Sequence, residues 1–119
     1  MSQWDKDRFL QSLGPMQKLA PKLLQAFLNG LDAHLTTLEQ AQKTNDRVKV
    51  QQATHSIKGI AGQVGCFELA VQARKIEEQA SSVDYELLCN WVDQLQQQAK
   101  VEREFMNDFL SLFTTVGNT

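Results

Sequence analysis

A chain of 119 residues with a net charge of −2, 42% hydrophobic and 22% charged, has the make-up of one globular domain, 1–119. It has no basic tract, which excludes the footprint of a nucleic-acid binder. No apolar run approaches the roughly 20 residues needed to cross a bilayer, which excludes direct membrane insertion. The opening MSQWDKDRFLQ is charged and amphipathic where a secretory leader would be apolar. The two cysteines, Cys66 and Cys89, lack a CxxC spacing or a histidine at ligand distance, so reduced thiols in a cytoplasmic protein are expected.

Helical periodicity runs from end to end, and no hairpin turn separates alternating apolar residues. A short first helix is expected over 5–12, with Phe9 and Leu13 apolar. LGP interrupts it, and Pro15 suits the first turn of a second helix over 15–43. Met16, Leu19, Leu23, Phe27, Leu31, Leu35 and Leu38 supply its apolar beat. KTND then breaks the chain, with Asn45 or Asp46 as the cap of a third helix over 47–64. Val50, Ala53, Ile57, Ile60, Ala61 and Val64 form the buried face of that helix, and Gly65 stops it.

A fourth helix over 67–80 turns Leu69, Ala70, Ala73, Ile76 and Ala80 inward. SSVD links it to a last helix over 84–113, carrying Leu88, Trp91, Val92, Leu95, Ala99, Met106, Phe109 and Phe113. Trp91 and the phenylalanines read as core, and Trp4 as a pin for the first segment. The fold expected is all-α: an antiparallel up-down-up-down four-helix bundle with a short extra N-terminal helix.

The stretch HSIKGIAGQVG, 55–65, puts three glycines in and at the end of a helix, although an interior glycine costs about 1 kcal/mol relative to alanine. At 100° per residue His55 lies about 200° from Ile57, on the solvent side or at a helix rim. Gln51, Gln52, Lys58, Gly59 and Gly62 share its face. Gly59 and Gly62 would clear space around the imidazole, and Lys58 would set a cation near it. If the third and fourth helices turn back at 65–67, facing positions sum to about 132 and His55 meets Glu77. A carboxylate accepting the Nδ1 proton leaves the Nε2 lone pair exposed. That is the layout of a nucleophile for an anionic group. His34, without such company, reads as a surface or boundary residue.

This stretch resembles the motif H-x-[apolar]-K-G-x-[small]-x-x-x-G of histidine-containing phosphotransfer (HPt) domains. His55, Lys58, Gly59, Ala61 and Gly65 match it place by place. The resemblance implies that His55 is phosphorylated and that Lys58 lies near the phosphoryl oxygens. It implies that Glu77 is the residue that hydrogen-bonds the histidine, and that Gly59 and Gly65 permit close partner approach and the end of the helix. Gln51, Gln52, Gly62 and Gln63 would complete the partner-facing surface. Chemotaxis-type members carry a histidine where Arg74 stands, so the chain departs from them there.

The function so implied is a monomeric phosphoryl carrier, taking the group on His55 from a receiver-domain aspartate and passing it to another receiver. Response-regulator receivers would be its partners; no cofactor or metal of its own is required. It would be a free carrier or the cytosolic part of a membrane-bound sensor kinase. Two alternatives remain: a helical adaptor that binds receivers without being phosphorylated, and the substrate domain of a chemotaxis-type kinase. A histidine-centred metal site is disfavoured, because no ligand type stands three or four residues from His55.

Overall fold

The computed structural model describes residues 4–117, with side chains through 113. Its helices are α1 (Lys6–Leu13), α2 (Ala20–Lys43), α3 (Arg47–Gln63), α4 (Phe67–Gln79) and α5 (Tyr85–Gly117). A 3-10 segment, Gly14–Leu19, joins α1 to α2. No strand occurs among the described residues. The molecule measures 52 × 23 × 23 Å. Its long axis matches the roughly 50 Å that a helix the length of α5 spans at 1.5 Å per residue.

Local chemistry accounts for the boundaries. Asp5 caps α1 by accepting from Arg8 N–H, and Asp46 caps α3 by accepting from Lys49 N–H, both at 3.1 Å. Between α2 and α3, Asn45 takes a left-handed φ of 55° and Asp46 N–H donates to Ala41 O at 2.9 Å. Gly65, at φ 84°, ends α3 in a conformation that side chains resist.

The second helix expected over 15–43 is two pieces. Pro15 opens the 3-10 segment, Met16 sits off helical geometry, and Ala20 N–H donates to Gln17 O. The α-helix starts at Ala20, so Pro21 falls in its first turn, where a missing N–H costs no hydrogen bond. This break shifts the apolar phase. Met16, Leu19 and Leu23 are exposed, Leu35 is half-buried, and Ala20, Leu24, Phe27, Leu28, Leu31, Leu38 and Ala41 face the core.

The core continues through Val50, Ala53, Ile57, Ala61, Leu69, Ala73, Ile76, Leu88, Val92, Leu95, Ala99 and Met106. Fully burying a side chain such as Leu31, Ile57 or Leu95 is worth about 1.5–3 kcal/mol each. The aromatic residues divide. Phe9 and Phe27 are buried, Trp91 and Phe109 are partly buried, and Phe67, Phe105 and Phe113 are exposed, contrary to the expectation that all are core. Phe67 heads α4 under the Arg8 guanidinium, 4.8 Å from its ring.

Polar contacts tie the helices together. Arg47, the first residue of α3, donates to Ala80 O at 3.0 Å and Val83 O at 2.6 Å, just past the end of α4. Near the end of α2, Gln42 donates to Asp93 on α5 at 3.1 Å and its carbonyl accepts from the Tyr85 hydroxyl. Midway along α2, Asp32 pairs with Arg103 further along α5.

The N-terminal segment is clamped to the turn after α3. Trp4 Nε1–H donates to Val64 O at 2.6 Å and Asp5 N–H to Gly65 O at 3.1 Å. The Trp4 ring stands edge-on to Phe109, 5.4 Å away. A Cβ on Gly65 would lie 2.8 Å from Asp5 O, so this glycine serves both the left-handed turn and the close approach of the segment.

Candidate functional site

His55 lies midway along α3, with its neighbour Thr54 turned inward and fully buried. Thr54 satisfies its hydroxyl on Val50 O at 2.8 Å, which keeps the inner face of the helix closed. One residue on, the His55 side chain is 68% exposed at the rim between α3 and α4. Across that rim, Glu77 on α4 presents a carboxylate only 17% exposed.

The two oxygens of Glu77 do different work. Oε2 accepts from His55 Nδ1–H, and Oε1 accepts from Lys58 Nζ at 2.6 Å. Lys58 and then His55 hold the carboxyl below the ordinary carboxylate range, against the opposing effect of burial. An ionised carboxylate has only acceptors, so in the neutral ring the proton sits on Nδ1 and the lone pair on Nε2. The Lys58 ammonium thus shares Glu77 with the imidazole.

The glycines shape what surrounds the ring. A Cβ added at Gly59 or Gly62 would meet nothing within 4 Å, so both face open space. Gln51, Gln52 and Gln63 are exposed on the same helix. Gly65 is buried, and the surface that comes close to it is Asp5 of this chain. His34 is half-buried on α2. On α4, one turn before Glu77, Arg74 Nε–H donates to Glu78 Oε1 at 2.8 Å.

A second polar cluster escaped the sequence reading. Glu102 on α5 is fully buried, and neither carboxyl oxygen has a partner in hydrogen-bond geometry. Burial pushes its pKa up to about 7; nearby Cys66 and Gln98 oppose that rise, and Glu68 adds to it. The Cys66 thiol, also fully buried, is pushed far up by burial first and by Glu102 second. A signal was present: Glu102 interrupts the stripe Leu95, Ala99, Met106 at helical spacing.

Among the described residues, no group of three or more His, Cys, Asp or Glu side chains could hold a metal ion. Likewise no helix there is long and apolar enough to cross a membrane.

Compared with known families, residues 22–100 match the family model of the Hpt domain. The chain belongs to the Hpt domain family. The matched stretch is more than half of the chain and contains His55, Lys58 and Glu77, while α1 and the end of α5 lie outside it. Comparison with curated proteins and with solved structures finds no match. Membership implies histidine phosphotransfer within a phosphorelay, and this Hpt domain carries the exposed His55 on α3.

Proposed function

We propose that the whole chain is one Hpt domain in which His55 accepts a phosphoryl group from a receiver-domain aspartate and yields it to a second receiver. The observation that carries this reading is the Glu77 carboxylate on Nδ1 of a largely exposed His55, which reserves Nε2 for the phosphoryl group. In the transfer, the Nε2 lone pair attacks phosphorus in line with the departing aspartate oxygen. The N–P bond forms as the O–P bond breaks, and the aspartate leaves as a carboxylate with that bonding pair. The ring keeps its Nδ1 proton and becomes cationic. Glu77, already ionised, faces that developing charge without having to move, which is preorganised electrostatic stabilisation.

The contacts of Arg47 with the end of α4, and of Gln42 and Asp32 with successive parts of α5, support an antiparallel up-down-up-down order for the four long helices, with α1 laid across one end. In that order His55 stands on a rigid rim, and Gly59 one turn away gives a receiver room to bring its aspartate in line. Lys58 and Glu77 position the ring; Gln51, Gln52, Gly62 and Gln63 lie on the approach surface.

Incubation with a phosphorylated receiver tests the reading. The expected product is an acid-labile, base-stable phosphoprotein, lost in His55→Gln while the melting curve is kept. Labelling that persists in the variant, for instance on His34, would overturn the assignment. Binding of receivers with no labelling of the wild type would favour an adaptor instead.

A further inference from the structure

A phosphoryl group on Nε2 would bring about two negative charges to the rim, and a cation must meet them. Lys58 is committed to Glu77, whose carboxylate must in turn keep the Nδ1 proton. Arg47 spends its guanidinium on Ala80 O and Val83 O. Lys75 lies over the Trp91 ring at 4.2 Å, and Arg8 over Phe67 at 4.8 Å. Lys49, six residues before His55, projects from another side of α3.

Arg74 is different. It lies one turn from Glu77 on α4, level with Lys58 in the α3–α4 register. Its side chain is 70% exposed and held through Nε by an i,i+4 pair with Glu78, itself 56% exposed. Exposed pairs of this kind are weak and easily exchanged. A Cβ at Gly59 or Gly62 would meet nothing within 4 Å, so the α3 side of the rim is open at these two positions.

We propose that Arg74 is a phosphoryl-binding residue, which leaves Glu78 when His55 is phosphorylated and places its guanidinium on the phosphoryl oxygens at Nε2. The planar fork of donors suits two oxygens of that group. A guanidinium held on those oxygens in the resting phosphohistidine stabilises that state through charge-assisted hydrogen bonds. Arg74 then lengthens the life of the phosphohistidine. The inference rests on the phosphohistidine reading above.

Phosphoramidate supplies the test without a receiver: its P–N bond breaks, ammonia leaves, and the group passes to Nε2. The half-life of phospho-His55 is then followed in the wild type, Arg74→Ala, Arg74→Lys and Glu78→Gln, with melting curves beside them. Arg74→Ala is expected to shorten the half-life by roughly three- to fivefold at low salt. Lysine is expected to restore part of it, and Glu78→Gln to leave it equal or longer. The wild-type advantage is expected to shrink in 1 M salt. An Arg74→Ala half-life equal to that of the wild type would overturn this inference and leave the phosphotransfer reading intact. Failure of the wild type to label at His55 would overturn that reading and this inference with it.

Discussion

Glu77 and Glu102 are two carboxylates that this fold treats in opposite ways. Glu77 stands at a rim, half-buried, with a ring N–H on one oxygen and an ammonium on the other, and its acidity is strengthened. Glu102 stands fully inside, faces a thiol, another carboxylate and an amide, and its acidity is weakened, with a pKa near 7. Burial pushes both in the same direction. Partners decide the outcome: an ammonium and a ring N–H overcome desolvation at Glu77, whereas Cys66 and Gln98 do not at Glu102. A carboxylate with its donors in place can act on a neighbour at neutral pH. One without them burdens the fold.

The largest expected effect lies at Glu102. Its folded pKa is raised from 4.5 to about 7, so across that interval the native state keeps a proton that the unfolded chain has released. Stability therefore falls as pH rises from about 4.5 through 7 and then levels, by roughly 3 kcal/mol in all. Glu102→Gln should flatten this slope, and Glu102→Met should leave the domain more stable than wild type at pH 8. Denaturant melts at pH 5 and pH 8 measure both. A wild-type stability that rises over this range would mean that Glu102 has found a donor, and the contrast with Glu77 would fail.

Next is Glu77. Its folded pKa lies below the ordinary value, so its contribution is present above about pH 4.5 and is lost only as pH falls through the lowered value. At neutral pH, Glu77→Ala should slow phosphotransfer about tenfold, near 1.4 kcal/mol of transition-state stabilisation. Receiver binding should change little. Glu77→Gln sharpens the point, because its amide oxygen can still accept from Nδ1–H but carries no charge. A glutamine variant as fast as wild type would assign the effect to orientation alone.

The smallest expected effect concerns the openness of the rim. Gly59→Ala should raise stability by up to about 1 kcal/mol, since its Cβ meets nothing and alanine is the better helix former. Gly59→Gln should keep that stability nearly unchanged yet cut transfer, by obstructing a receiver over His55. A melting curve and a transfer rate for each variant settle whether the two quantities move apart. Early melting with normal transfer would mean that the glycine serves packing.

Much of this was legible from residue spacing. Asp46, Gly65 and the apolar beats of α3, α4 and α5 mark the helices because capping and burial act locally. The count that sets Glu77 opposite His55 works because a short turn fixes the register of two helices, and the two side chains meet. What was not legible depends on third bodies. Two prolines reset the phase of α2, so Leu24 and not Leu23 is buried. The phenylalanines divide according to which helix ends have a neighbour to cover them. The long side chain of Lys58 could reach several partners, and the fold puts its ammonium on Glu77. Glu102 breaks an apolar stripe, but exposure and burial of such a residue read alike until its neighbours are in place.

The pair of tryptophans has a practical consequence. Trp4 is buried against Phe109 at the turn after α3, while Trp91 is half-exposed beneath Lys75. Along α5, Phe109 and Trp91 are separated by about 27 Å at 1.5 Å per residue. Two native fluorophores thus sit toward opposite ends of the molecule in surroundings of different polarity. Replacing either by phenylalanine leaves an optical reporter for one end alone. Detachment of the N-terminal clamp and fraying of the far end can then be timed as separate events, in a domain whose His55 needs no label.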